Sequence, residues 1–166
     1  KMEYIGVYWF SYAYSEDMAK KEADYCNDII NKYKSNINLP IFFDYEYDSL
    51  NYAYRSGVYP GKTMITSMTD QFCSRIKEFG YKSGYYCNYD FQNNYINTSA
   101  LIEYELWFAD WDGDIYEKCY IQQYTDKGII DGINGNVDLN YYIAAQPEPT
   151  KDYITVNDVV NGIWDG

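Results

Sequence analysis

Apolar positions along this chain follow two rhythms. Residues 4–10 (YIGVYWF) form a short, nearly continuous apolar run, which at that length predicts a buried strand. Ser15 stands where a helix cap is expected. Ala19, Ala23, Cys26, Ile29–Ile30 and Tyr33 then recur at helical spacing and predict a helix running to about Lys34. Asn38-Leu39-Pro40 breaks the chain, and 41–46 (IFFDYE) predicts a second strand. A polar loop is expected next, ending at Tyr59-Pro60-Gly61. Helical spacing returns over about 62–79, with Ile65, Met68, Phe72, Ile76 and Phe79 on one face, and Gly80 stops it. Residues 83–88 (SGYYCN) predict a third strand, followed by a short polar helix near 89–97.

The second half loses the helical rhythm. Short strands are predicted at 105–109 (ELWFA), 119–124 (CYIQQY) and 136–141 (NVDLNY), in a loop-rich context with Gly128, Gly132 and Gly135. Strand–helix alternation in the first half indicates parallel βα units. The count is two strands short of a closed (β/α)8 barrel. After Ile143 the texture changes. Residues 1–143 are expected to form one partial barrel, 144–152 (AAQPEPTKD) a polar linker, and 153–166 the opening of a second module.

Charge and composition narrow the function. Net charge is -12, from 25 acidic and 13 basic residues. Nucleic acid and anionic membranes need clustered Lys and Arg, so neither is expected as a partner. No apolar run approaches the ~20 residues that span a bilayer, and no secretory signal is visible. There is no histidine. This removes Ser-His-Asp and Cys-His nucleophiles and His-ligated zinc, so any general acid or base must be Asp, Glu, Lys, Tyr or Cys. Tyrosine is abundant, with 23 copies. Most of that excess fits codon bias, and a few tyrosines fit stacking on sugar rings. Cys26, Cys73, Cys87 and Cys119 match no CxxC pattern and are expected to be buried free thiols rather than disulfides. No metal or cofactor is expected.

The chemistry concentrates in Phe42-Phe43-Asp44-Tyr45-Glu46. Asp44 and Glu46 stand at i and i+2, so on a strand both project to one face. They lie at the C-terminal end of an apolar run, the end that faces the active site in parallel barrels. Two carboxylates leaving a buried strand are costly unless used or paired, and their proximity is expected to raise at least one pKa, as a general acid requires. Taken alone, the pair fits a solvated strand end with two ordinary acids better than a catalytic pair.

Further segments change that balance. Gly6-Val7-Tyr8-Trp9-Phe10, Leu39-Pro40 before the acidic pair, Tyr85-Tyr86, Leu106-Trp107-Phe108-Ala109, Gln123-Tyr124-Thr125 and 132–140 (GINGNVDLN) occur in one order. This ordered set resembles the glycoside hydrolase family 25 lysozymes, from residue 4 to residue 143. The resemblance implies an α/β fold, a modified TIM-like (β/α)8 barrel whose late strands lack regular helices. This chain would supply about strands 3 to 8. It implies hydrolysis of the β-1,4 bond between N-acetylmuramic acid and N-acetylglucosamine in bacterial peptidoglycan, by a monomer acting outside the cell or at the cell wall. The source would be a secreted autolysin or a phage endolysin. Glu46 falls on the family's general acid, Asp44 on the carboxylate beside it, and Asp138 on a further active-site carboxylate. Tyr8, Tyr86, Asn88, Trp107 and Gln123 fall on positions lining the sugar groove.

Two departures accompany the resemblance. The family opens with a strand bearing an Asp in a DVS-like motif and then a second strand, and neither is in this sequence. Without them, the chain is expected to expose strand edges at 4–10 and 136–141 and to be a poor folder and poor enzyme alone. Gln122 stands where the family has an aromatic, which predicts a weakened sugar-stacking contact. The ending 161–166 (NGIWDG) faintly resembles the start of a cell-wall-binding repeat.

Carboxylate spacing leaves a retaining or an inverting outcome open. Participation by the substrate's own acetamido group is preferred, because the resemblance points to no protein nucleophile. Two rivals remain. One is a non-catalytic glycan-binding module, which would have no need of both Asp44 and Glu46. The other is a chitinase-like barrel, whose longer acidic signature is not met by Ile41 and Phe42.

Overall fold

Val7–Phe10 (β1), Ile41–Asp44 (β2) and Ser83–Asn88 (β3) pair in parallel in that order. Helix α1 (Glu16–Ile30) joins β1 to β2, and helices α2 (Tyr47–Arg55) and α3 (Lys62–Glu78) join β2 to β3. The computed structural model describes residues 4–143 and the two-residue strand Ile154–Thr155. The chain divides into two compact units, Tyr4–Glu105 and the residues from Leu106 onward. Among the described residues, no helix is long and apolar enough to cross a membrane.

The first unit is built as its apolar spacing predicts. Ser15 caps α1, its hydroxyl accepting from the Met18 N–H at 3.2 Å. Ala19, Ala23, Cys26 and Ile30 are buried, and small side chains at three turns let α1 lie close on α3. Ile29 and Tyr33, expected on that stripe, are instead exposed. Ile29 lies one residue, about 100° of helix, away from Ile30. Tyr33 falls in a 3₁₀ turn, Asn31–Asn36, that replaces the last turn expected of the helix. In α3, Ile65, Met68, Phe72 and Ile76 are buried, and Phe72 packs its ring 4.9 Å from that of Phe43 in β2. Gly80, at φ 83°, lets the chain leave the helix in a left-handed turn. All four cysteines are free and buried, and burial pushes the Cys26 thiol up to about 12.

One element was not expected. Residues 47–55, read as part of a polar loop, form α2. Its buried face is only Ser49, Leu50 and Ala53, too sparse among tyrosines to show a period.

The second unit has strands but no α-helix among its described residues. β4 (Glu105–Ala109) begins at the last residue of the first unit and pairs in parallel with β5 (Ile121–Gly128). β5 then pairs antiparallel with β6 (Val137–Tyr142), with register shifts on either side of Thr125. The parallel pairing read from the first half thus does not extend to β6. The segment 129–136, with Gly132 and Gly135 at positive φ, is a hairpin connection, whereas a parallel crossover needs a dozen or more residues. Ile154–Thr155 (β7) pairs antiparallel with Tyr141–Tyr142. Apart from it, the expected linker at 144–152 and second module at 153–166 lie outside the described residues.

Candidate active site

In the first unit, parallel register aligns Tyr8, Phe42 and Gly84 in one row and Phe10, Asp44 and Tyr86 in the next. Residues in one row point to one side of a sheet. The opposite side is set by Phe43 and Tyr45, whose rings stack at 6.0 Å and 16°, with Phe43 against Phe72 of α3. Asp44 therefore faces away from the helices. Gly84 is where this layer closes most tightly: a Cβ there would lie 2.6 Å from the Phe42 ring and 2.4 Å from the Glu105 carbonyl oxygen.

Asp44 is the last residue of β2 and only 7% exposed, and its carbonyl accepts from the Ser11 N–H at 2.8 Å. Glu46 is not on the strand, as the spacing suggested, but is the N-cap of α2. Its backbone stays extended (φ -129°, ψ -169°), so side-chain alternation runs on past the strand end. The Glu46 carboxylate and the Ser49 hydroxyl form a reciprocal capping box, with the Glu46 N–H donating to Ser49 Oγ at 3.1 Å. Helix α2 thus fixes the half-buried Glu46 at its first turn. The next residue, Tyr47, donates to Asp90 at 2.5 Å, and that bond raises its phenol to about 12.

Tyr8 is 57% exposed on β1, and Tyr86 is buried beside Asp44. Asn88 ends β3, and its Oδ1 accepts from the Phe91 N–H at 2.9 Å, closing the turn that follows.

In the second unit, the Trp107 indole N–H donates to Asn140 Oδ1 at 2.7 Å. Gln123 is buried, in register with Ala109 and Asn140, and its Oε1 accepts from the Trp111 indole N–H at 3.0 Å. The Gln123 amide also lies beside the carboxylate of Asp138 and favours its ionised form. Asp138 lies on β6, with its carboxyl held above the usual carboxylate range. Desolvation is the main cause, the Asp126 carboxylate adds to it, and the Gln123 amide opposes both. The structure brings together Asp44 and Tyr86, with Tyr8 one row away, in the first unit, and Gln123 with Asp138 in the second. Among the described residues, no cluster of Cys, Asp and Glu forms a metal site.

A family model described as glycosyl hydrolases family 25 matches residues 3–133, a span that holds the acidic pair and its flanking strands. The chain belongs to glycosyl hydrolase family 25.

Among solved structures, this family 25 chain is similar to the modular autolysin LytC from Streptococcus pneumoniae. It is 23% identical over 81% of this chain and 32% of that one, with a TM-score of 0.66. It is similar to the CTP1L endolysin, at 22% identity over 84% and 46% of the two chains and a TM-score of 0.65. It is also similar to the modular Cpl-1 endolysin, solved with a peptidoglycan analogue, at 20% identity over 89% and 41% and a TM-score of 0.57. At these identities the likeness shows the fold, and the chain spans between 32% and 46% of those proteins' lengths. No curated protein matches it.

Two residues change standing in the family 25 chain. Gln122, read as replacing a sugar-stacking aromatic, is fully buried, and its Oε1 accepts from the Tyr116 N–H at 2.7 Å. It braces the loop between β4 and β5. Trp111, which no motif singled out, is half exposed in that same loop and bonds Gln123. Its one sequence signal is a large aromatic set in an acidic run, Asp110-Trp111-Asp112-Gly113-Asp114.

Proposed function

We propose that this family 25 chain is the catalytic part of a peptidoglycan hydrolase that cuts the β-1,4 bond between N-acetylmuramic acid and N-acetylglucosamine. Its strands correspond to the third to eighth of the family's barrel. The enzyme acts at the bacterial cell wall, as an autolysin or an endolysin. The observation that carries the reading is a buried carboxylate, Asp44, at the C-terminal end of a parallel strand, with Glu46 held two residues on by a helix cap.

In this mechanism Glu46 gives its proton to the leaving glycosidic oxygen as the bond to the anomeric carbon breaks. The substrate's acetamido oxygen forms the new bond to that carbon, and Asp44 accepts from the acetamido N–H, aligning it and balancing the developing positive charge. Water then opens the cyclic intermediate, its proton returning to Glu46. By the family resemblance, Asp138 is a further carboxylate of the reaction, Tyr8, Tyr86 and Asn88 belong to the sugar groove in the first unit, and Trp107 and Gln123 belong to it in the second.

The test is Glu46→Gln in the complete protein, with new reducing ends and new free amines counted in digested peptidoglycan. Gln keeps an oxygen to cap α2 and removes the proton. A loss of about 10²–10⁴-fold in reducing ends is expected, with no free amines from the wild type. Activity within about threefold of wild type would remove Glu46 as the acid. Free amines without reducing sugar would make the enzyme an amidase or peptidase.

A further inference from the structure

Gln123 stands between two groups of opposite hydrogen-bonding character. An indole N–H only donates and a carboxylate only accepts. The Trp111 indole therefore faces the amide oxygen at 3.0 Å, and the Asp138 carboxylate faces the amide nitrogen. That fixes the amide without ambiguity. Gln123 is 4% exposed and sits on a strand paired on both sides, so it is a rigid reference point. Trp111, by contrast, is 53% exposed. A tryptophan tethered at its nitrogen by a buried amide keeps its ring plane while leaving apolar area in water, an arrangement its own packing does not require.

The surroundings select the ligand. Asp110, Asp112 and Asp114 lie in the Trp111 loop, and Asp126 and Asp138 lie nearby on the same pair of strands. Such a setting repels phosphates and anionic lipid and suits a neutral, hydroxyl-rich ring with one apolar face. We propose that Trp111 is a stacking platform for a neutral N-acetylated pyranose of the glycan, and that Gln123 is a positioning residue that sets this platform against Asp138. This rests on the glycan-hydrolase reading above and assigns it one further binding residue.

The experiment uses the complete protein and two probes, the β-1,4-linked N-acetylglucosamine tetramer and peptide-free peptidoglycan glycan strands. Binding is measured in a Glu46→Gln background so that the probe is not consumed, and turnover in the wild-type background. Trp111→Ala is expected to weaken binding and raise KM about tenfold with kcat within about twofold, the scale of one lost aromatic contact of roughly 1.4 kcal/mol. Trp111→Phe keeps a ring but loses the tether, and is expected to fall between the two. Gln123→Leu is expected to raise KM and move the acid limb of the rate profile to higher pH. It removes the neighbouring amide that favours ionised Asp138, a change that loosened packing alone would not produce.

If Trp111→Ala, melting like wild type, binds both probes and turns over with unchanged KM, the platform is wrong. If Trp111→Phe also equals wild type while Trp111→Ala does not, the ring stands and the positioning role of Gln123 falls. If the wild type binds glycan through Trp111 without cleaving it, the hydrolase reading fails and the platform survives. If it binds no glycan, both fall.

Discussion

The two units hold themselves together by different means. Between Tyr4 and Glu105, the interior is apolar interlock: Phe43 on Phe72, Ile65, Met68 and Ile76 beneath, and small residues of α1 closing on α3. From Leu106 on, two glutamines are buried in β5, and amide side chains hold two indoles and a loop: Asn140 to Trp107, Gln123 to Trp111, Gln122 to the Tyr116 backbone. The apolar core positions of the first unit tolerate hydrophobic residues that fill their volume and keep their period. The second depends on particular donor–acceptor pairs, since a buried polar group left without its partner costs more than the bond contributes. The candidate proton donor stands on the densely packed unit, and the amides that flank Asp138 and hold the indoles on the hydrogen-bonded one.

The strongest test of this contrast is Phe72→Ala. Its ring fills the space between α3 and β2, so about 3–5 kcal/mol of stability should be lost. A chemical denaturation midpoint read from first-unit probes checks it, and a loss under about 1 kcal/mol would mean that the interlock is not the main support. Gly84→Ala comes next. The added methyl meets a carbonyl oxygen at 2.4 Å and an aromatic ring at 2.6 Å, and overpacking of this kind costs about 1–3 kcal/mol. The same denaturation curve should shift without a change in slope. A more local effect of similar size is expected for Gln122→Leu, which deprives the Tyr116 N–H of its acceptor for about 1–3 kcal/mol. Amide hydrogen exchange should speed up across 110–120 and leave α1 and α3 untouched. Uniform acceleration would show that the two regions are not held independently.

The same contrast explains what was legible in the sequence. The stripe of α1, the face of α3, the Ser15 cap and the Gly80 stop were readable because burial imposes a local period. Asp44 was readable as a strand-end carboxylate because the apolar run preceding it is continuous. Glu46 was misplaced on the strand because Tyr45 preserves the alternation across the end of β2, although the signal was present: Ser49 three residues on completes a capping box, and no Gly or Pro interrupts 47–55. The antiparallel turn of β6 was also recoverable, since 129–136 is too short for a crossover. The partners of Gln122, Gln123 and Asn140 were not recoverable. Those bonds join residues many positions apart, and nothing local to a glutamine says whether it faces a loop or an indole.

The smallest effect concerns a partly buried carboxylate of the first unit. Glu22 of α1 turns its carboxylate toward the end of β1, where Oε1 accepts from the Tyr12 N–H at 3.1 Å, with the Ser11 and Trp9 side chains nearby. Burial raises its pKa, and the polar groups of Ser11, Tyr12 and Trp9 offset this only in part. A raised acid in the folded state holds its proton more tightly than in the unfolded chain. Its contribution to stability is therefore fully present below the ordinary glutamate value of 4.5 and is lost as pH rises through the folded value. At neutral pH the ionised carboxylate is a burden that the protonated one is not. Glu22→Gln keeps an oxygen for the Tyr12 N–H and cannot ionise, so it should melt above wild type at pH 7, with the gap closing as pH falls toward 4.5. Paired thermal melts across that range measure it. If the variant instead melts below wild type at pH 7, by a margin that grows as pH rises, the three polar groups outweigh burial. Glu22 would then belong with Gln122 and Gln123, as a polar group whose partners hold the fold rather than one the fold merely tolerates.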